Sequence, residues 1–356
     1  IWQSANKRGD MMDLDERKRH ILKALINDYI VTAEPVGSRT IAKRYRLGIS
    51  SATIRNEMAD LEDMGYLEQP HTSAGRIPSD KGYRVYVDCL MGSEKLSNQE
   101  IELIKNSICS VIEGEINRII KEMTKVLSAL TNYTVMVMAP QTMNSMVKHI
   151  QLIAIDDLHV MAVVVTNFSV VNSSSITLSR PIDSDKLMTI NNILNDKLKG
   201  LTLEEINLKI ISEVQNSVTG YSEIFNEIIP ILYKSLKKRD KGEIYLEGSS
   251  NIFNYPEYNA IDKAKQFLTM LDKKDLLRNL LSCDGDSIKI SIGHENQYDE
   301  ISDCSIVTSS YKIGDDVVGS LGIIGPTRMY YSKVTAILEY FISYLNDMLT
   351  SYYYDK

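Results

Sequence analysis

The sequence predicts an α+β, multidomain protein that opens with a winged helix-turn-helix. Three observations carry that prediction. Residues 14–84 read in the order helix, helix, glycine turn, helix and two short strand-like pieces. Charge divides sharply inside the third of those helices. Farther along, strand-rich sequence near 133–166 and again near 287–326 brackets a helical block, the pattern left by one domain inserted into another.

The first helix is expected over Leu14 to Ile30, where Ile21, Leu22, Leu25, Ile26 and Tyr29 recur at helical spacing. Pro35 and Gly37 break it. "SRTIAKRY" follows as a short helix with Ser38 as its expected N-cap, then a turn at Gly48. Ser50 caps a third helix, which Gly65 ends. At 100° per residue, Met58 and Leu61 fall within about 40° of Ile54 and form its buried stripe. Ala52, Asn56 and Ala59 lie roughly opposite, with Thr53 and Arg55 on the flanks.

That outward face suits a DNA groove. Arginine matches guanine O6 and N7, asparagine matches adenine N6 and N7, and small neighbours allow close approach. From Pro35 to Asn56 there are five basic residues (Arg39, Lys43, Arg44, Arg46 and Arg55) and no acid; from Glu57 to Glu68 there are five acids and no base. A helix that enters the major groove by its first turns needs this polarity. A solvated amphipathic helix in a small bundle would also fit the helix taken alone. The next stretch separates the two readings: "YLEQP" and "GRIPS" around "HTSA" form a wing, with Arg76 expected near its tip and His71, Thr72 and Ser73 able to donate to phosphate. "DKGYRVYVDCLM" reads as a helix leading out of the domain.

The bounds agree. The chain has 356 residues and a net charge of −7, so a surface that coats nucleic acid everywhere is excluded. Met11–Gly92 carries 12 basic and 12 acidic residues, whereas Ser93–Lys356 is net −8, so a polyanion-binding surface belongs in the first ninety residues. The four cysteines (89, 109, 283 and 304) include no CxxC and read as free thiols in a reducing, cytoplasmic setting. No apolar run is long enough to span a membrane. Residues 1–10 lack a signal-peptide core and read as an upstream extension or cloning remnant.

Beyond the wing, Ile101 to Leu130 is expected to be helical, and "YTVMVMAP", "HIQLIAID" and "HVMAVVVTN" to be strands with a turn at Asp156-Asp157. Helical pattern then runs from Pro181 to Arg239, with Asp183 starting one segment, Thr202-x-x-Glu205 as a capping box, and Ile224, Ile228, Leu232 and Leu236 on a third. Strands return at "SIKISIG", "CSIVTSSY" and "VVGSLGIIGP", before a last helix from about Ser332 to Tyr353. Glycines 319, 322 and 325 are spaced GxxGxxG inside a strand. They suit a bulge or a close backbone approach better than a phosphate loop. His294 and Glu295 form no HExxH, the other histidines do not cluster, and no nucleophile motif is present. Neither an enzyme nor a cofactor or metal is expected.

"SSATIRNEMADLEDMGYLEQPHTSAGRIPSDKGYR" (residues 50–84) closely resembles the signature of the HrcA family, bacterial heat-inducible transcription repressors. "ISIGHEN", "CSIVTSSY" and "GSLGIIGPTRMYY" resemble that family's C-terminal signature, so the resemblance covers nearly everything after Met11. It implies a winged-helix domain, a GAF-like domain and an inserted dimerising domain. It further implies binding to the CIRCE inverted repeat upstream of chaperone operons, with the GroE chaperonin keeping the repressor active. The expected division is 11–92 for the winged helix, 93–182 with 250–356 for the GAF-like domain, and 183–249 for the mainly helical insertion. The expected DNA contacts are Ser38, Arg39, Lys43, Ser50, Ser51, Ala52, Thr53, Arg55, Asn56, Thr72, Ser73 and Arg76. Dimer contacts are expected at Ile224, Ile228 and Leu232, because one winged helix reads too short a half-site. A competing reading makes the chain a ligand-gated regulator with a small-molecule site in the GAF-like domain.

Overall fold

A computed structural model describes residues 14–72, 74–109, 116–139, 146–166, 171–202, 205–206, 226–231, 243–282, 285, 287–314 and 316–354. The chain divides into two compact units, Ile1–Ala139 with Ile244–Lys356, and Pro140–Glu243.

The first unit opens with α1 (Glu16–Thr32), whose apolar stripe is buried at Ile21, Leu22, Leu25 and Ile26. Asp15 caps it by accepting from the Lys18 backbone N–H at 2.7 Å. The second helix, α2 (Ser38–Tyr45), is capped by Gly37, with no side-chain capping bond. Ser38 is therefore the first helical residue and not the expected cap. Helix α3 (Ser51–Asp63) does take Ser50 as its cap: the Thr53 N–H donates to Ser50 Oγ at 3.1 Å. Ile54, Met58 and Leu61 are the residues it buries, as the helical spacing requires.

Two short antiparallel strands, β1 (Leu67–Glu68) and β2 (Ile77–Pro78), make the wing. Val36 adds a third rung by exchanging both backbone hydrogen bonds with Arg76 at 2.9 Å. Gly75 is required beside that rung, since a Cβ there would lie 2.5 Å from the Val36 carbonyl. Helix α4 (Asp80–Val85) follows, capped by Ser79, and runs into a π-helical turn at Tyr86–Leu90.

The remainder of this unit contains α5 (Asn98–Cys109) and α6 (Ile116–Thr131), which flank residues 110–115, outside the described set. Its centre is a five-stranded antiparallel sheet. The strands are β3 (Thr134–Met138), β7 (Ile244–Glu247), β8 (Lys289–Ile292), β9 (Cys304–Ile313) and β10 (Asp316–Pro326), in the order β7-β3-β10-β9-β8. Helices α8 (Ile261–Leu271) and α9 (Lys274–Leu281) cover one face, burying Met136, Met138, Ile306 and Ile324 with Phe267, Met270 and Leu277. Alternation along the strands leaves Val135, Val307, Leu321 and Ile323 on the opposite face, where α6 and the C-terminal α10 (Tyr331–Tyr354) pack. An antiparallel sheet with helices on both faces is consistent with the GAF-like expectation. The register of β10 slips between Val317 and Gly319, and a Cβ at Gly319 would meet the Tyr311 ring at 2.3 Å. The glycine thus serves both a bulge and a close approach.

The second unit holds a separate three-stranded sheet, β4 (Val147–Ala154), β5 (His159–Thr166) and β6 (Val171–Thr177), in the order β4-β5-β6. Helix α7 (Ser184–Leu198) packs on it through Leu187, Ile190, Leu194 and Leu198. Asn191 and Asn195 occupy the free edge of β4: their amides donate to and accept from the Leu152 and Ile150 backbone at 2.6–3.0 Å. Those side chains substitute for a missing strand and blunt the edge. The expected division assigned 93–182 to the GAF-like domain and made the insertion mainly helical. The pairing departs from the first point, because residues 147–177 pair among themselves and share a core with α7, so the second unit starts well before 183. The Thr202–Glu205 capping box forms, with the Thr202 N–H donating to Glu205 Oε2 at 2.7 Å and the Glu205 N–H to Thr202 Oγ1 at 3.2 Å.

Candidate nucleic-acid interface

The two ends of α3 are treated differently by their surroundings. Glu57 accepts from Lys18 Nζ at 2.6 Å and pairs with Arg17 at 3.3 Å, and Asp60 lies 3.0 Å from Lys18. Hydrogen bonds to Glu57 and then Asp60 raise the Lys18 ammonium above its ordinary pKa, so this clamp between α1 and α3 stays charged. Glu62 accepts from Arg76 Nε and Nη2, both at 2.7 Å. Three of the acids on the second half of the helix are therefore neutralised within the fold.

The first half keeps its long polar side chains exposed, while Thr53 Oγ1 and the Ser50 hydroxyl lie 2.9 Å apart at its start. Ala52, Arg55 and Asn56 are exposed on one side of α3, with Ser51 and Thr53 half-buried beside them. Arg39 and Lys43 on α2 and Arg46 after it are also exposed. Among the described residues Arg39, Lys43, Arg46 and Arg55 make no ion pair. Arg44 differs: it is exposed, but its guanidinium pairs with Asp28, a buried carboxylate on α1. The face thus presents cations without an ion pair and an amide at the positive end of a helix dipole, with three of the four acids of α3 already occupied. Such a face is matched to a polyanion with readable base edges.

Most of the expected contact residues come together on this face: Arg39, Lys43, Ser50, Ser51, Ala52, Thr53, Arg55 and Asn56. Ser38 begins α2 and is half-buried. Thr72 is exposed in the wing turn, where its carbonyl accepts from Gln69 Nε2 at 3.1 Å. Ser73 lies outside the described residues. Arg76 departs from expectation. It sits at the base of the wing, held by Val36 through its backbone and by Glu62 through its side chain, so it is not a loop-tip arginine. Sequence reasoning also missed Arg17 and Lys18 as clamps on α3. The one sequence signal was a basic cluster on α1 opposite an acid-rich helix end, and charge alone gives no partner.

Of the expected dimer contacts, Ile224 and Leu232 lie outside the described residues. Ile228 is fully buried in the core of the second unit with Val147, Ile150 and Leu194. Helical periodicity marks a residue that must be covered, and here the same chain covers it.

A family model described as the HrcA protein C-terminal domain matches residues 117–335. Another, described as the winged helix-turn-helix transcription repressor, HrcA DNA-binding, matches residues 13–88. The heat-inducible transcription repressor HrcA of Clostridium perfringens (strain 13 / Type A) is 49% identical over 336 residues, 94% of this chain and 99% of that protein. The protein of the same description from Clostridium tetani is 49% identical over 340 residues, 95% of this chain and 97% of its own. A crystal structure of a hypothetical protein superposes with a TM-score of 0.61 at 23% identity, covering 95% of this chain and 99% of that one, and bears on the fold alone. No described helix is long and apolar enough to cross a membrane. A matched DNA-binding domain, a matched C-terminal domain and relatives aligned along nearly their whole length place this chain in the HrcA family of heat-inducible transcription repressors, winged-helix regulators of DNA and not enzymes.

Proposed function

We propose that the protein binds an inverted-repeat operator of the CIRCE type, upstream of chaperone genes, as a homodimer. Heat releases it, and the GroE chaperonin maintains its active form. The observation that carries the reading is the asymmetry of α3: three of its four acids are spent on Arg17, Lys18 and Arg76, while Arg55 and Asn56 face outward with Arg39 and Lys43 nearby. Arg55 and Asn56 read base edges. Arg39, Lys43 and the hydroxyls of Ser50, Ser51 and Thr53 hold phosphates.

Two copies are needed because one helix reads only a few base pairs, and a twofold pair adds the binding free energies of two half-sites. The outer face of the three-stranded sheet is the better-supported contact. Helix α7 covers the other face, and Ile153, Met161, Val163 and Val165 remain on this one, with Ile153 opposite Met161 in register. Ile153 is 42% exposed, a high value for isoleucine on a sheet. A dimer held by such a face loses protomers on warming and dilution, and exposes apolar surface that a chaperonin can hold. The core beneath α8 and α9 is filled by Met136, Phe267 and Met270, which favours this reading over a ligand-gated one.

The test is titration of a labelled inverted repeat and of a single half-site, with mass measured by light scattering. Two protomers per repeat, and a half-site bound at least ~100-fold more weakly, are expected. Equal affinity for the two DNAs would remove the dimer from the reading. Operator binding lost on warming should return when GroE and ATP are added.

A further inference from the structure

The two signature-bearing segments of this chain touch each other. Helix α4, at the end of the winged helix, meets the turn after β8. Asp80 Oδ2 accepts from the His294 backbone N–H at 2.9 Å and from its Nδ1 at 2.8 Å. Gly293, at φ +53°, makes that approach possible, since a Cβ there would lie 2.1–2.3 Å from the Asp80 carboxyl atoms. One turn later, Arg84 forks onto Glu295: Nε donates to Oε1 at 2.8 Å and Nη2 donates to Oε2. The same Nη2 donates to the Ile290 carbonyl at 2.7 Å, and Nη1 reaches Asp88 at 3.2 Å. The third point is distant from these in the chain. Arg328, after β10, is buried and donates to the Ile30 carbonyl at 2.9 Å, at the last turn of α1, while its guanidinium forks onto Glu257. Ile30 is one of the carbonyls that a helix end leaves without an intrahelical donor.

Three separated points fix the placement of one body on another, where a single contact would leave a pivot. All three are charge-assisted. The Arg84–Glu295 contact is forked across the joint, which sets angle as well as distance, while the Arg328 fork onto Glu257 holds that guanidinium in place for its single bond to Ile30. None belongs to the DNA-facing surface.

Resting on the dimeric, inverted-repeat reading above, we infer that this three-point joint makes Asp80, Arg84 and Arg328 positioning residues for the spacing between operator half-sites. Changing the spacer by one base pair displaces a half-site by ~3.4 Å and rotates it by ~35°. A winged helix locked to its C-terminal domain cannot follow that movement. One released from the joint and held by the chain after Leu90 can.

The experiment measures affinity for a series of inverted repeats whose spacers are shortened or lengthened by one to four base pairs, with a single half-site as control. Wild type should lose at least about tenfold per base pair away from its optimum. Arg84→Ala and Glu295→Gln should flatten the profile to less than about threefold per base pair without changing half-site affinity. The exchanged pair Arg84→Glu with Glu295→Arg should restore the steep profile. Glu295→Gln preserves shape and removes one charge, so it decides the matter if Arg84→Ala fails to fold. Variants as steep as wild type would overturn the inference while leaving the dimer reading intact. A wild type that binds a half-site as tightly as a full repeat would overturn both.

Discussion

Arg76 and Glu62 join the wing to the last turns of α3, with two guanidinium nitrogens each 2.7 Å from one carboxylate oxygen. The same arginine exchanges both backbone hydrogen bonds with Val36. The wing is therefore set relative to α3 before any DNA arrives. Arg76→Ala should lower the stability of the winged helix by about 1 kcal/mol, because the pair is half-exposed and forked. Glu62→Gln should reproduce most of that loss. Urea unfolding of both variants checks this. An Arg76→Ala protein of wild-type stability with weaker DNA binding would restore the loop-tip contact that the sequence suggested.

The cations on α2 have a different signature. Arg39→Ala and Lys43→Ala should each weaken binding to operator and scrambled DNA about equally, and reduce the slope of log affinity against log salt by about one unit. Arg44→Ala should instead destabilise the fold, because it strands the buried Asp28 carboxylate. Salt titrations of the three variants, run beside thermal melts, separate the two behaviours. An Arg44→Ala protein that melts normally but loses the salt-slope unit would place Arg44 on DNA.

Assembly gives a paired prediction. Val163→Asp, on the outer face of the three-stranded sheet, should yield a folded monomer with poor affinity for the full repeat. Ile228→Asp places a charge in the core of the second unit and should cost more than ~3 kcal/mol, unfolding that unit. Light scattering and circular dichroism on both variants make the check. A dimeric Val163→Asp protein moves the contact elsewhere.

The His294 ring is held to Asp80, whose hydrogen bond and charge raise the imidazole pKa; Asp303 and Glu68 act in the same direction. A raised folded-state value means that the contact stabilises fully below the unfolded pKa of ~6.5 and is lost as pH rises through the folded value. The effect is small, because the ring is exposed. Half-site spacing selectivity should therefore soften slightly above pH ~6.5, and His294→Ala should abolish that pH dependence while leaving the backbone bond. A profile whose pH dependence survives His294→Ala assigns it to another group.

The helix-turn-helix was legible because its signals are local. Ser50 before an apolar repeat, Gly48 in the turn and the 3.6-residue spacing of Ile54, Met58 and Leu61 act within one or two turns. The wing was legible as a hairpin but not in detail, since each strand has two residues and Arg76 is fixed by Val36, forty positions earlier. Strands β4 and β5 were recognised and assigned to the wrong sheet, because alternation records which face is buried and not which strand lies alongside. The edge strands β6 and β7 were missed: β6 is serine-rich and β7 has four residues. Ile228 was read as a surface contact for a related reason, as an apolar stripe requires a cover without naming the chain that provides it.

The central claim is that the first turns of α3 read the operator, and a base-substitution panel tests it most directly. Each base pair of the repeat is changed in both arms, and affinities of wild type, Arg55→Ala and Asn56→Ala are measured at fixed salt. Wild type should lose roughly 1–3 kcal/mol at each contacted pair. Each variant should lose a similar amount on the intact operator, become indifferent to one specific pair and keep its circular dichroism spectrum. If both variants retain every wild-type penalty, α3 does not read bases through these residues and the account is wrong.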